Sequence, residues 1–249
     1  MRGRSNKFIL VLIASFLLSG CTTIYNPATQ RNEALMFNTA QEVSLGQEMD
    51  QEVQKKLVIV HDPEMEYRLN SIGSKVAAVS DRQDLVYYFR IVKDDRLNAF
   101  SMPGGFVYVN TALMRSATDD ELAGVLSHEI GHIAAKHGIK QLQAMLGYQA
   151  IMGIALGMGT ESNLQDSLDI IFNLGSLGYS RKDEFFADKL AVKYTKKAGY
   201  DPNGLVTFFG KLKKEAQEKG SGFNLLFLSS HPPINERIKN IEQEISSNP

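Results

Sequence analysis

Five consecutive residues, His128-Glu129-Ile130-Gly131-His132, constrain this chain more than any others. On an α-helix, side chains four apart project from one face, so His128 and His132 can both reach one metal ion. Glu129 then sits beside the first imidazole, off the ligand axis, where a water held by that metal would lie. The surrounding Leu122, Ala123, Val125, Leu126, Ile130 and Ile133 are apolar enough to bury the segment. Two buried histidines need partners, and a metal supplies one. Thr118 followed by Glu121 fits a capping box, which predicts a helix opening at Thr118 and running to about Gly138.

The pattern is the HExxH arrangement of zinc peptidases, in which the glutamate is the general base. A catalytic zinc takes a third protein ligand and keeps one position open. His137 is nine residues after His128, about half a turn round a continuous helix, so it is expected to face away as a surface histidine at the helix end. A metzincin needs Gly at 135 and His at 138, but Ala135 and Gly138 stand there. That leaves a carboxylate from a later helix. Glu184 and Asp188, in Arg-Lys-Asp-Glu-Phe-Phe-Ala-Asp, are four apart and share a face. Glu184 suits a ligand and Asp188 suits a partner for the second ring nitrogen of a histidine. Without the upstream motif they would read as a solvated helix face beside Arg181 and Lys182.

Around this centre the periodicity predicts helices over 39–57, 64–79, 163–198, 203–219 and 233–246. The third closes at Gly199 with Pro202 beyond, and the last carries an Ile234, Ile238, Ile241, Ile245 stripe. Residues 85–92 and 106–110 read as strands, the second after a Pro103-Gly104-Gly105 turn. Two strands rarely suffice, so a third is expected without a clear position. Residues 144–160 are apolar and carry four glycines; they read equally well as a flap over the site or as a buried helix. The expectation is one mostly helical α+β domain over 39–249.

The N-terminus looks like an export signal. Arg2, Arg4 and Lys7 precede the apolar run 8–18, too short to span a bilayer, and Leu18-Ser19-Gly20-Cys21 follows. That junction resembles a bacterial lipobox, which implies cleavage before Cys21 and lipid on its thiol and amine. Cleavage of 1–20 takes the net charge from −1 to −4. Cys21 is the only cysteine, so intramolecular disulfides are excluded. Residues 21–38 read as a tether. With 27 basic against 28 acidic residues, the chain has no global basic field for nucleic acid.

Several segments together resemble the gluzincin family that includes the HtpX heat-shock protease, the type 1 CAAX prenyl endopeptidase and the periplasmic peptidase BepA. They are Asn98-Ala99-Phe100 with Pro103-Gly104-Gly105, the run LAGVLSHEIGHIAAKH, the run YSRKDEFFADKLA, and Ser230-His231-Pro232-Pro233 with Arg237. The order and spacing match over about 40–240 and sit closest to short exported lipoprotein members. The resemblance implies a zincin-like fold with a small sheet on the site helices and one Zn2+ per chain. It assigns His128, His132 and Glu184 as ligands and Glu129 as base. It implies that strand 106–110 presents an edge for a substrate peptide, with Asn98 to Gly105 lining the cleft. Unlike HtpX, the chain shows no block of membrane spans, and unlike BepA, no tetratricopeptide array.

In such a site the zinc acidifies its water and polarises the scissile carbonyl, while Glu129 moves the proton to the leaving amine. Arg237 or His231 would stabilise the oxyanion, or His231 would fill the open zinc position in a latent enzyme. The expected substrates are misfolded or stalled proteins of the bacterial envelope. The expected location is the periplasm, lipid-anchored at the outer membrane's inner leaflet, with outer-membrane assembly or protease partners. The competing class is a non-catalytic, chaperone-like lipoprotein that holds outer-membrane proteins in the same cleft. Retention of all four site residues favours the enzyme. A purely structural zinc site is disfavoured, because such sites are closed by four protein ligands.

Overall fold

The computed structural model describes residues 22–155, 178–219 and 234–247. A hairpin of β1 (Thr22–Asn26) and β2 (Arg31–Leu35) comes first. Helices α1 (Thr39–Lys56) and α2 (Pro63–Ala77) follow, then strands β3 (Tyr88–Val92), β4 (Ala99–Met102) and β5 (Phe106–Asn110). The remaining helices are α3 (Thr111–Ser116), α4 (Asp119–Ala134), α5 (His137–Ala155), α6 (Arg181–Lys197), α7 (Gly204–Lys219) and α8 (Ile234–Ser247).

Helix α4 is the centre of the molecule. Its N-terminus is fixed by the expected capping box: Thr118 Oγ1 accepts from Glu121 N at 3.2 Å, and Glu121 Oε2 accepts from Thr118 N at 2.8 Å. From Glu121 to Ala134 every residue is buried. A helix buried all round needs neighbours on all sides, and α2, α6, α7 and the sheet supply them. The apolar stripe of α8 closes one flank, with Ile234 and Ile241 buried and Ile238 and Ile245 packed against the core.

Three differences from the sequence reading bear on the site. First, the missing strand is β4, and the sheet order is β3-β5-β4. Strand β5 runs parallel to β3 and antiparallel to β4, so it is the central strand and presents no edge. Its unbroken Phe-Val-Tyr-Val run, buried at every position, is the pattern of a strand covered on both faces. The edge strands are β3 and β4, and β4 is the one packed against α4. Pro103 to Gly105 form the tight connection between β4 and β5, and Gly105 has φ +100° with Val86 O 2.3 Å from where a Cβ would stand.

Second, α4 stops at Ala134 instead of near Gly138, because Lys136 adopts a left-handed conformation with φ +58°. That conformation costs a non-glycine residue on the order of 1–2 kcal/mol. A buried ion pair holds it: Lys136 Nζ donates to Glu42 Oε2 at 2.7 Å, and Arg82 reaches both oxygens of Glu42 at 3.2 and 3.1 Å. The chain turns at Lys136 and starts α5 at His137.

Third, the segment expected as a tether contains the β1–β2 hairpin. Glu33 accepts from Asn26 Nδ2 (3.1 Å), Thr29 Oγ1 (2.8 Å) and Lys140 Nζ (2.7 Å). Gln143 on α5 accepts from Met36 N and donates to Ala34 O. The apolar segment 144–160 continues α5 as far as Ala155; residues 156–160 lie outside the described residues, as do 163–177 of the helix expected over 163–198. Within the described residues no helix is long and apolar enough to cross a membrane.

Candidate active site

His128, Glu129 and His132 come from α4, Glu184 and Asp188 from α6, and Arg237 from α8; each is at most 1% exposed. The two ligand helices lie close because Gly131 faces Ala187. A Cβ on Gly131 would stand 3.1 Å from Ala187 O and 3.3 Å from Leu190 Cβ.

The Nε2 atoms of His128 and His132 converge to 3.0 Å. Glu184 Oε2 lies 3.5 Å from His128 Nε2, and Glu184 Oε1 lies 3.4 Å from His132 Nε2. Ligands held tetrahedrally about 2.1 Å from a zinc ion stand about 3.4 Å from one another, so the triangle has the right size. The donor set agrees. Two imidazole nitrogens and a carboxylate converge in the buried interior, where their lone pairs repel unless a cation lies among them. Among the described residues this is the group of His, Cys, Asp and Glu side chains that could hold a metal ion. Formal charge points the same way, since Glu129, Glu184 and Asp188 face the single guanidinium of Arg237, an excess of two negative charges that a divalent cation cancels.

Asp188 Oδ1 is 3.0 Å from His128 Nδ1, the contact that holds the ring hydrogen on Nδ1 and turns the Nε2 lone pair to a metal. Arg237 grips the same carboxylate, with Nε to Oδ2 at 2.8 Å and Nη2 to Oδ1 at 2.6 Å, and its Nη1 lies 2.8 Å from Glu184 Oε2. Nη2 is also 3.3 Å from both ring nitrogens of His128. Burial pushes Asp188 upward, but the charge and hydrogen bonds of Arg237, with His128, outweigh it and hold the carboxyl below the ordinary range. For His128, burial and Arg237 oppose the cation, yet Asp188 and Glu184 prevail and raise it to about 9. Metal binding at Nε2 therefore competes with a second proton on this ring.

Sequence reasoning missed three residues here. Ser101, on β4, donates its hydroxyl to Glu129 Oε2 at 2.8 Å, so the edge strand touches the candidate base directly. Tyr179 stacks on His132 with ring centroids 4.1 Å apart. His137 is not a surface residue; it is buried, with Nδ1 2.9 Å from His132 Nδ1. Ser101, Met102 and Pro103 line a small cavity with His132, Lys136 and Tyr179, so part of the Asn98–Gly105 segment does border the site. Asn98 itself is buried beside β5, its carbonyl accepting from Asn110 N at 3.0 Å. His231 lies outside the described residues.

Residues 63–245, from α2 to α8 and including every site residue described, match the model of peptidase family M48. The chain belongs to that family. It is accordingly a zinc metalloendopeptidase of the gluzincin type. The chain is 28% identical to the metalloprotease LoiP of Escherichia coli K12 over 96% of both sequences. It is 22% identical to the beta-barrel assembly-enhancing protease of the same organism, over 95% of this chain and 52% of that protein. It is 30% identical to the mitochondrial metalloendopeptidase OMA1 of Schizosaccharomyces pombe, over 70% of this chain and 51% of that protein. The chain thus spans nearly all of the first relative and about half of the other two. Three elements within the matched region build the site: β4 borders the base, α4 gives two nitrogens, and α6 gives the carboxylate.

Proposed function

We propose that this M48 peptidase is a lipid-anchored protease of the bacterial envelope that cleaves misfolded or stalled proteins there. The observation that carries the chemistry is the position of Glu129: one residue from a ligand histidine, and joined through Ser101 to the edge strand β4. An extended peptide would pair with the outer edge of β4, which would bring its carbonyl groups past Glu129. When bound by His128, His132 and Glu184, zinc supplies Lewis-acid polarisation of the scissile carbonyl. Glu129 accepts the proton of the attacking water and returns it to the leaving amine. Ser101 holds one carboxylate oxygen of Glu129 and thereby orients the other. Asp188 fixes the tautomer of His128, and Arg237 holds Asp188 and Glu184 in place.

The export-type segment 1–20 and the Leu-Ser-Gly-Cys junction support the anchor at Cys21. Strand β1 starts at Thr22, so an anchor at Cys21 would bring the hairpin, and the part of α5 to which it is tied, up to the membrane surface. A relative named for enhancing beta-barrel assembly supports envelope proteins as clients.

Cleavage-site mapping on envelope proteins, wild type against Glu129→Gln, tests the substrate reading. Products present only with the wild type are expected; identical product sets would refute it. Fractionation of Cys21→Ala tests the anchor, with release from the membrane expected. Retention in the membrane fraction would remove the lipid from the account.

A further inference from the structure

We propose that His137 is a positioning residue for zinc, the middle member of a relay that runs from Asp183 to the ligand His132. This rests on the reading of His132 as a ligand. The geometry fixes the protons. If Nε2 of His132 faces the metal, its Nδ1 carries the hydrogen and must donate. The atom in front of it is Nδ1 of His137, at 2.9 Å. His137 Nδ1 must then accept, which places the ring's own hydrogen on Nε2. That nitrogen is 3.4 Å from Asp183 Oδ1. Asp183 is itself oriented by Ser180, whose hydroxyl donates to Oδ2 at 2.6 Å. Each ligand histidine is therefore backed by a carboxylate of α6: His128 directly by Asp188, and His132 through the His137 ring by Asp183.

The backbone is bent to make this contact. On a continuous helix His137 would lie half a turn away from His128. The left-handed Lys136, clamped by Glu42, ends α4 and swings His137 back onto His132. The Tyr179 ring, stacked on His132 and 5.8 Å from His137, packs beside both imidazoles, and Phe186 meets His137 edge-on at 6.3 Å. A strained turn, a buried clamp and two aromatic rings all serve to place one imidazole.

The test is zinc affinity of the purified full-length protein, measured by competition with a chromogenic chelator. His137→Phe keeps the ring volume but offers no acceptor, and its affinity is expected to fall about 10- to 100-fold, the usual cost of losing an outer partner. His137→Gln, whose amide oxygen can accept, is expected to recover most of that loss. Wild-type affinity in His137→Phe would overturn the proposal. Should His137→Phe not fold, Asp183→Ala decides, because Asp183 is partly exposed and alanine removes the acceptor in front of His137 Nε2. Weaker zinc binding supports the relay, and unchanged binding refutes it. His132→Ala serves as the control: zinc retained at wild-type affinity there would refute the ligand reading itself, separately from the relay.

Discussion

Replacing Arg237 by Met separates two roles for this residue. Arg237 is wholly buried and makes contacts of 2.8, 2.6 and 2.8 Å with Asp188 and Glu184. Methionine matches much of the volume and can still lie against Phe209, over whose ring the guanidinium now sits at 4.5 Å. It leaves Asp188 and Glu184 buried without the guanidinium that joins them. Breaking a buried pair in this way costs about 3–5 kcal/mol. For a chain of this size each kcal/mol is worth about 2–4 °C, so metal-free Arg237→Met should melt about 6–20 °C below the wild type. Bound zinc supplies two positive charges beside Glu184, so the gap should narrow in the loaded protein. The assay is thermal unfolding of both proteins, first with chelator and then with excess zinc. Arg237→Lys should fall between, because one ammonium cannot meet two carboxylates in the fork geometry. If metal-free Arg237→Met melts with the wild type but turnover collapses, Arg237 is an oxyanion donor and its structural role is refuted.

Three further outcomes follow from the same geometry. Ser101→Ala frees Glu129 Oε2 and should lower kcat about 10-fold with KM and zinc content nearly unchanged, since one well-placed hydrogen bond is worth about 1–1.5 kcal/mol; Ser101→Thr should restore turnover, and an unaffected kcat in Ser101→Ala would refute the contact's importance. Chelation should lower the melting temperature, because zinc binds only the folded site; at a free concentration 100 times the Kd the stabilisation is about 2.7 kcal/mol, and an identical melt with and without chelator would contradict it. On the acid side, burial pushes Asp50 up, but hydrogen bonds from Arg90 and Tyr108 outweigh it and hold it below the ordinary value of 3.8. Its contribution is present above about pH 4 and lost as pH falls through the lowered native value. Asp50→Asn should therefore be less stable than the wild type at pH 7, with the gap closing toward pH 3; a gap constant with pH would contradict this.

The parts of the site written as local spacing were legible in the sequence. His128 and His132, and Glu184 and Asp188, are each four apart on one helix, and the helix caps at Thr118 and Gly199 announce themselves in a few residues. What was illegible depends on a single backbone angle or on distant partners. His137 was misplaced because helical phase was carried through Lys136, where the helix has already ended. Strand β4 is four residues long, too short for alternation to register. The hairpin is held by Lys140 and Gln143, more than a hundred residues later, so its sequence alone read as a tether. The edge that the resemblance implies for 106–110 falls instead to β4, and the all-apolar Phe106–Val109 run is itself the sign of a central strand. The ion pairs of Arg237 were illegible because its partners lie on α6, 49 and 53 residues upstream.

The central claim is that Glu129 is the base beside a zinc held by His128, His132 and Glu184. Its most direct test joins metal analysis to a cleavage assay on Glu129→Gln with an unfolded protein as substrate. One zinc per chain with no cleavage is the expected result. Retained cleavage by Glu129→Gln, with zinc in place, would contradict the account.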